Sequence, residues 1–340
     1  GSILLNMQYF KFATGLKMTH DKKWTDLFGI PPRKKESEIT QEYMNLALAI
    51  QEITEEIVLK LARTAKNLTN SDYLVMAGGV ALNSVANGKI LKSKLFKKIW
   101  IQPAAGDAGG ALGAAYLGWY IWKDNERVLN NDLDSMKGAY LGPEFDKNEI
   151  LGTIRKYNAN YKYFKNFNEL TELIAKKLSK GKVVGWFQGR MEFGPRALGN
   201  RSILGDARNP EMQKKMNLKI KYREGFRPFA PSVLEEDISE YFDINCASEY
   251  MLHVVPIKKE LMKSLPDDYN DMDLYSRLYH LRSDLPAITH VDYSSRLQSV
   301  SKNTNPKYWN LICEFKKQTS YGIIINTSFN VRGEPIVCTP

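Results

Sequence analysis

A mixed α/β chain is the fold class this sequence predicts, and three observations carry it. Residues 73–77 (YLVMA) and 321–325 (YGIII) are short apolar runs, the pattern of strands covered on both faces. Residues 39–67 place Tyr43, Leu46, Ala47, Ile50, Ile53, Ile57 and Leu61 three or four apart, which predicts one long amphipathic helix. Twice, a strand-like run passes through a turn of small residues into a helix: residues 73–77 through Gly78-Gly79, and residues 99–103 through residues 104–107.

At 340 residues, 43% hydrophobic and 25% charged, the chain is globular and long enough for two domains. Its formal charge of +10 favours anionic partners. Lys92, Lys94, Lys97 and Lys98, with Arg33, Lys34 and Lys35, read as solvated faces, and no nucleic-acid motif accompanies them, which sets nucleic acid aside. Cys246, Cys313 and Cys338 have neither metal-ligand nor redox spacing and are expected as buried thiols in a reducing cytoplasm. The first residues lack the basic start, apolar core and cleavage site of a signal peptide. The longest apolar stretch, residues 104–122, carries Asp107 and many glycines and alanines, so a buried helix is expected rather than a membrane span.

Taken in order, residues 3–6 and 9–12 read as strands of a hairpin, and residues 20–35 as a polar, proline-marked loop. After the long helix and the first strand, Gly78 and Gly79 leave amides bare where a helix opens at residues 80–83, the makings of an anion site. Asp107 stands at the mouth of the next helix, residues 109–122, either as its cap or as the holder of a cation beside phosphates. Turn signals at residues 138–143 mark a domain boundary. A helix at 168–179 and a strand at 182–188 follow, then a basic helix at 210–220. Residues 235–283 are acidic, tyrosine-rich and irregular, a covering segment with one strand at 250–256. His253 and His290 are expected to be structural, and Arg296 is an isolated cation beside hydroxyls.

The chain is organised around residues 189–231, where Arg190, Arg196, Arg201, Arg208, Lys221, Arg223 and Arg227 are spaced among glycines and prolines. Guanidinium groups present a fixed fork of donors to phosphate or carboxylate oxygens. Trp186, Phe193, Phe226 and Phe229 lie between the charges, and rigid apolar supports beside arginines describe a polyanion pocket better than a wet surface. Pro195, Pro228 and Pro231 are expected to stiffen its turns. Asn326 and Ser328, where the strand at 321–325 ends, are small polar groups of the kind that line ligand sites.

Five motifs then occur in a fixed order: AGGVALN at 77–83, AAGDAGGALGAA at 104–115, FGPRALGNRSIL at 193–204, YREGFRPFAPSV at 222–233 and NTSFNVRGEPIV at 326–337. Together they resemble the O-carbamoyltransferases of the nodulation and antibiotic-tailoring type. The resemblance implies two parts: residues 1–138 as the second half of an actin-like (Kae1-like) ATPase domain, and residues 139–340 as a YrdC-like domain short of its C-terminal end. The family's first half-domain with its HxxxH metal motif has no counterpart here, so the chain reads as a portion of a longer enzyme.

The resemblance implies ATP and carbamoyl phosphate as substrates, carbamoyl-adenylate as the intermediate, a hydroxyl-bearing small molecule as acceptor, and a homodimer. It implies Arg196, Lys221, Arg227 and Arg296 as the catalytic cationic cradle, and Asn326 and Ser328 as partners of the carbamoyl group or phosphate. Gly78, Gly79 and Asn83 become nucleotide contacts, and Asp107 a ligand of a divalent metal, Fe2+ or Mg2+. Two alternatives stay open: a threonylcarbamoyl-adenylate enzyme of tRNA modification, and a non-catalytic nucleotide-binding module.

Overall fold

The computed structural model describes residues 3–34, 37–128 and 134–340, so the expected solvated Lys35 lies outside the described residues. Ten α-helices and eight strands are described. Helices α1 (Asp21–Phe28), α2 (Gln41–Thr69), α3 (Ser84–Ser93) and α4 (Asp107–Tyr116) alternate with β1 (Tyr73–Met76) and β2 (Lys98–Ile101). Next come α5 (Lys147–Lys156), α6 (Phe167–Ser179), β3 (Val184–Phe187), β4 (Arg201–Gly205), α7 (Met212–Lys219) and β5 (Ala230–Leu234). The chain then adds α8 (Ile238–Tyr241), β6 (His253–Pro256), α9 (Leu274–Tyr279), β7 (Ser294–Val300), α10 (Pro306–Thr319) and β8 (Ile323–Ser328). The mixed α/β expectation is met. The chain divides into two compact units, residues 1–74 with 89–100, and residues 75–88 with 101–340.

In the first unit the expected hairpin is absent. Residues 3–12 form no strand, only an isolated bridge from Phe10 to Thr19, and α1 stands where a polar loop was expected. The cause is Trp24, which stacks on Phe28 at 5.2 Å and donates its indole N–H to the Tyr9 carbonyl at 2.8 Å. That ring anchors the extended segment to a short helix in place of a second strand. Helix α2 forms where the spacing predicts a helix and ends on Asn70 in the left-handed conformation, but it buries Glu55, Val58 and Ala62 while Ile50, Ile53 and Leu61 of the expected stripe are exposed; the Glu55 carboxylate pairs with Lys89.

The second unit is built on a six-stranded sheet in the order β3-β4-β8-β5-β7-β6. All its pairings are antiparallel except β5 with β7. Helices α6 and α10 cover the sheet through a core that includes Ala175, Leu178, Trp186, Leu204, Tyr308, Leu311, Phe315 and Ile324. The four central strands β4, β5, β7 and β8 are almost wholly buried, and their ends carry the polar residues described below. Pro231, expected in a turn, instead lies inside central β5 opposite Ile325. The parallel ladder to β7 starts only at Ser232, so the proline sits ahead of it and its missing N–H interrupts nothing there.

Three burial expectations are corrected. Strand β1 has one open face, with Tyr73 and Val75 exposed. The apolar helix after Gly106 runs from Asp107 to Tyr116 and on through a π-helical turn to Trp122, and none of these residues is buried. Cys246 and Cys338 are exposed rather than buried, because each lies outside the packed strands. No described helix is long and apolar enough to cross a membrane.

Candidate functional site: a cationic cluster at the strand ends

The glycine-rich loop after β3 turns sharply at Gly194 (φ 141°) and Gly199 (φ 109°), conformations that favour glycine. Its backbone is gripped from the sheet and from the segment before α5. The Asn326 amide donates to the Ala197 carbonyl at 3.1 Å and to Gln298 Oε1 at 2.8 Å, and the Gln298 amide donates to the Leu198 carbonyl at 2.8 Å. The Tyr140 hydroxyl donates to the same Leu198 carbonyl at 2.8 Å.

This loop presents Arg196, whose Nη2 donates to the Leu82 carbonyl at 3.2 Å while its Nε is buried without a partner. Arg296 on β7 also has a buried, unpartnered Nε. Burial, then the like charges of Arg196 and Arg223, push its pKa down to about 9. Lys221, 4% exposed, has its pKa lowered to about 8 by burial and by Arg223. Its ammonium donates to Ser328 Oγ at 3.2 Å and to Asn330 Oδ1 at 2.8 Å, and also to the carbonyls of Ser328 and Asn330. Among the described residues no carboxylate pairs with Arg196, Arg296 or Lys221. One buried and two half-buried cations that have no carboxylate partner among the described residues describe a place for an anion.

The structure brings most of the predicted residues into one region and changes the role of several. Gly194 backs closely onto the Pro103 carbonyl, so the arginine loop lies against the segment that precedes Asp107 as well as against the turn holding Leu82. Gly78 (φ 93°) and Gly79 open a short 3-10 turn there, with free space at both positions. Asn83 Oδ1 accepts from the Ala86 amide at 3.1 Å, so its side chain caps α3. Asp107 is the first residue of α4, is exposed and makes no capping hydrogen bond.

A divalent metal does not fit the residues present. Among the described residues no three of His, Cys, Asp and Glu gather, and one exposed carboxylate does not make an iron site. Arg227 sits at the rim with its Nε 3.1 Å from Glu224. Asn326 is 1% exposed; both amide contacts hold the loop and the cluster's scaffold, and its Oδ1 is left without a donor. Of the expected aromatic supports, Trp186 and Phe229 are buried, whereas Phe226 is exposed.

Sequence reasoning undervalued two residues. Arg223 is in the arginine stretch but outside the cradle that the resemblance implies; its Nε donates to Asn217 at 2.7 Å, and its guanidinium lies 5.0 Å from the Phe229 ring centre and acts on both Lys221 and Arg296. Asn330, two residues beyond Ser328, accepts from both Lys221 and Ser328 Oγ, the latter at 2.7 Å. The signal was there, as Lys-x-Arg in residues 221–223 and Ser-x-Asn in residues 328–330.

At the ends of a mixed sheet, a glycine-rich arginine loop thus gathers Arg196, Arg296 and Lys221 with no carboxylate partner among the described residues. The chain belongs to the carbamoyltransferase family: residues 1–116 match the family description "Carbamoyltransferase N-terminus" and residues 175–340 match "Carbamoyltransferase C-terminus". It is 52% identical to an uncharacterised protein of Synechocystis over all of this chain and 55% of that protein. It is 39% identical to the nodulation protein NolO of Bradyrhizobium diazoefficiens over 92% of this chain and 53% of that protein. Against the 3'-hydroxymethylcephem-O-carbamoyltransferase of Streptomyces clavuligerus the identity is 28%, over 88% of this chain and 50% of that protein. The chain thus spans about half the length of the curated relatives it matches.

Proposed function

We propose that this chain carries the carbamoyl-activating site of an ATP-dependent O-carbamoyltransferase. The observation that carries the reading is the cluster of Arg196, Arg296, Arg223 and Lys221, without carboxylate partners for Arg196, Arg296 and Lys221 among the described residues. Carbamoyl phosphate and water give carbamate and inorganic phosphate. The carbamate oxygen attacks the α-phosphorus of ATP, the bond to pyrophosphate breaks, and carbamoyl-adenylate forms. An acceptor hydroxyl then takes the carbamoyl group, loses its proton and releases AMP. Each step builds charge on phosphate or carbonyl oxygens, and preorganised cations lower its cost without reorganising.

In this reading Arg196 and Arg296 neutralise phosphate oxygens, Lys221, whose N–H groups are taken by Ser328 and Asn330, adds its positive charge to the pocket, and Arg227 closes the rim. Residues 139–340 act as a YrdC-like activating domain and residues 1–138 as part of an actin-like domain, where Gly78 and Gly79 approach the nucleotide. The acceptor class follows the hydroxymethyl group in the name of the cephem relative. No step is assigned to a metal.

The test is pyrophosphate release by the complete protein from ATP, with and without carbamoyl phosphate, alongside Arg196→Ala. Release that requires carbamoyl phosphate and collapses in the variant is expected. Release indifferent to carbamoyl phosphate, or none, removes the assignment.

A further inference from the structure

One buried carboxylate lies under the arginine loop and takes no part in the cluster itself. Glu192 is 6% exposed, and its Oε1 accepts from the backbone amides of Leu198 at 2.7 Å, Asn200 at 2.8 Å and Arg201 at 3.3 Å. A single oxygen therefore closes a ring across residues 192–201, with Arg196 at its far side. Amides donating to an ionised carboxylate form bonds roughly twice as strong as neutral ones. The Ala197 and Leu198 carbonyls are held by Asn326, Gln298 and Tyr140, the Gly199 amide donates to Ser202 Oγ at 3.0 Å, and the Phe193 amide donates to the Ala139 carbonyl at 2.6 Å. These bonds fix the peptide planes from residue 197 to residue 201, directly after Arg196, and the Phe193 amide ties the loop before it.

The loop needs such a clamp. It contains two glycines at positive φ, and glycine loses the most conformational freedom on folding. A loop of this composition, carrying a guanidinium whose charge is repelled by Arg296, relaxes toward solvent unless its backbone is tied. We propose that Glu192 is a positioning residue for the anion site: it holds the 193–201 loop in the conformation that aims Arg196 into the cluster. The inference rests on the anion-site reading above only for what Arg196 meets there.

The experiment titrates inorganic pyrophosphate into the 340-residue chain by calorimetry for wild type, Arg196→Ala, Glu192→Ala, Glu192→Gln and the Glu192→Ala/Arg196→Ala double variant. Amide hydrogen exchange is followed at Leu198, Asn200 and Arg201. Glu192→Ala is expected to weaken pyrophosphate roughly tenfold, Glu192→Gln less because it keeps one acceptor oxygen, and the double variant no more than Arg196→Ala alone. That non-additivity separates positioning from general destabilisation, which leaves the contributions additive. Additive losses, wild-type affinity in folded Glu192→Ala, or unfolding of both Glu192 variants would overturn the proposal. Should wild type bind no pyrophosphate, the anion-site reading falls, and exchange alone decides on Glu192. Protection lost only at the three loop amides upholds the clamp, and unchanged protection removes it.

Discussion

The Lys221 ammonium reaches the Ser328 hydroxyl at 3.2 Å, joining the segment after α7 to the end of β8. Its other acceptors are the Asn330 amide oxygen and two backbone carbonyls, so its charge is solvated by dipoles, with no carboxylate partner among the described residues. A lysine in that position has its pKa lowered to about 8, and Arg296 nearby to about 9. An anion bound beside them favours both protonated forms. Affinity for inorganic pyrophosphate is therefore expected to fall as pH rises from 7 to 9, and Lys221→Met should weaken binding and flatten the lower part of that profile. Calorimetric titration at successive pH values checks this, and a flat wild-type profile contradicts it.

The same two groups act on stability with the opposite sign. Each has a folded pKa below its ordinary value, so the unfolded chain holds more protons between about pH 8 and pH 10. Where the unfolded state binds more protons, stability rises with pH. Without a ligand, the unfolding midpoint should increase over this window relative to Lys221→Met, and a high concentration of pyrophosphate should abolish the difference. Chemical denaturation at pH 8 and pH 9.5, with and without the anion, measures both.

Gly199 tests how tightly the arginine loop is seated. A Cβ at this position would fall within 2.2 Å of the Tyr308 ring, and φ is 109°. Tyr308 is fully buried in the core between sheet and α10, so the ring cannot yield. Gly199→Ala combines a strained backbone with overpacking and is expected to cost about 2–5 kcal/mol. An unfolding midpoint within a degree of wild type would show that the loop can shift away.

Arg201 separates support from site within the same motif. It has no exposed surface; its guanidinium donates to the carbonyls of Gln188, Gly189, Asn200 and Pro143 and lies 3.6 Å from the centre of the Phe187 ring. A lysine offers neither the planar fork nor the stacking face. Arg201→Lys is expected to lose about 2–4 kcal/mol of stability. Its pyrophosphate affinity below the unfolding midpoint should stay near wild type, the reverse of what Arg196→Ala should show.

What the sequence revealed follows from how local each signal was. Helix α2 was legible because its three-to-four spacing repeats over about five turns from Tyr43 to Leu61, and Arg196, Lys221 and Arg296 stood out as cations among glycines, prolines and hydroxyls. Strand β5 was hidden by Pro231, whose local preference for turns is overridden by the ladders on either side. Helix α1 was hidden because what selects it is the long-range contact of Trp24 with Tyr9. Glu192 carries no compositional signal at all; its role appears only once three amides converge on it. Asn326 was read as a ligand partner from its place beyond a buried strand, and the fold shows its amide spent on Ala197 and Gln298.

His253 gives the acid limb. The Ser248 hydroxyl donates to the Leu297 carbonyl at 3.0 Å, so at 3.3 Å the His253 Nδ1–H is the donor to that oxygen. Nε2 is then the bare nitrogen, buried with no partner to receive or share a proton. Burial pushes the imidazole pKa down to about 4. The folded chain keeps this ring neutral while the unfolded chain protonates it near its ordinary value of 6.5, so stability is lost as pH falls from about 6.5 to about 4. The loss at pH 4 is at most about 3 kcal/mol for this group. His253→Phe removes the titration and keeps an aromatic ring in the β6 position opposite Leu297. The variant should therefore lose less stability than wild type between pH 6.5 and pH 4, measured by urea denaturation at each pH. Parallel acid limbs for the two proteins would mean that His253 is protonated in the fold and that the ring has found a partner.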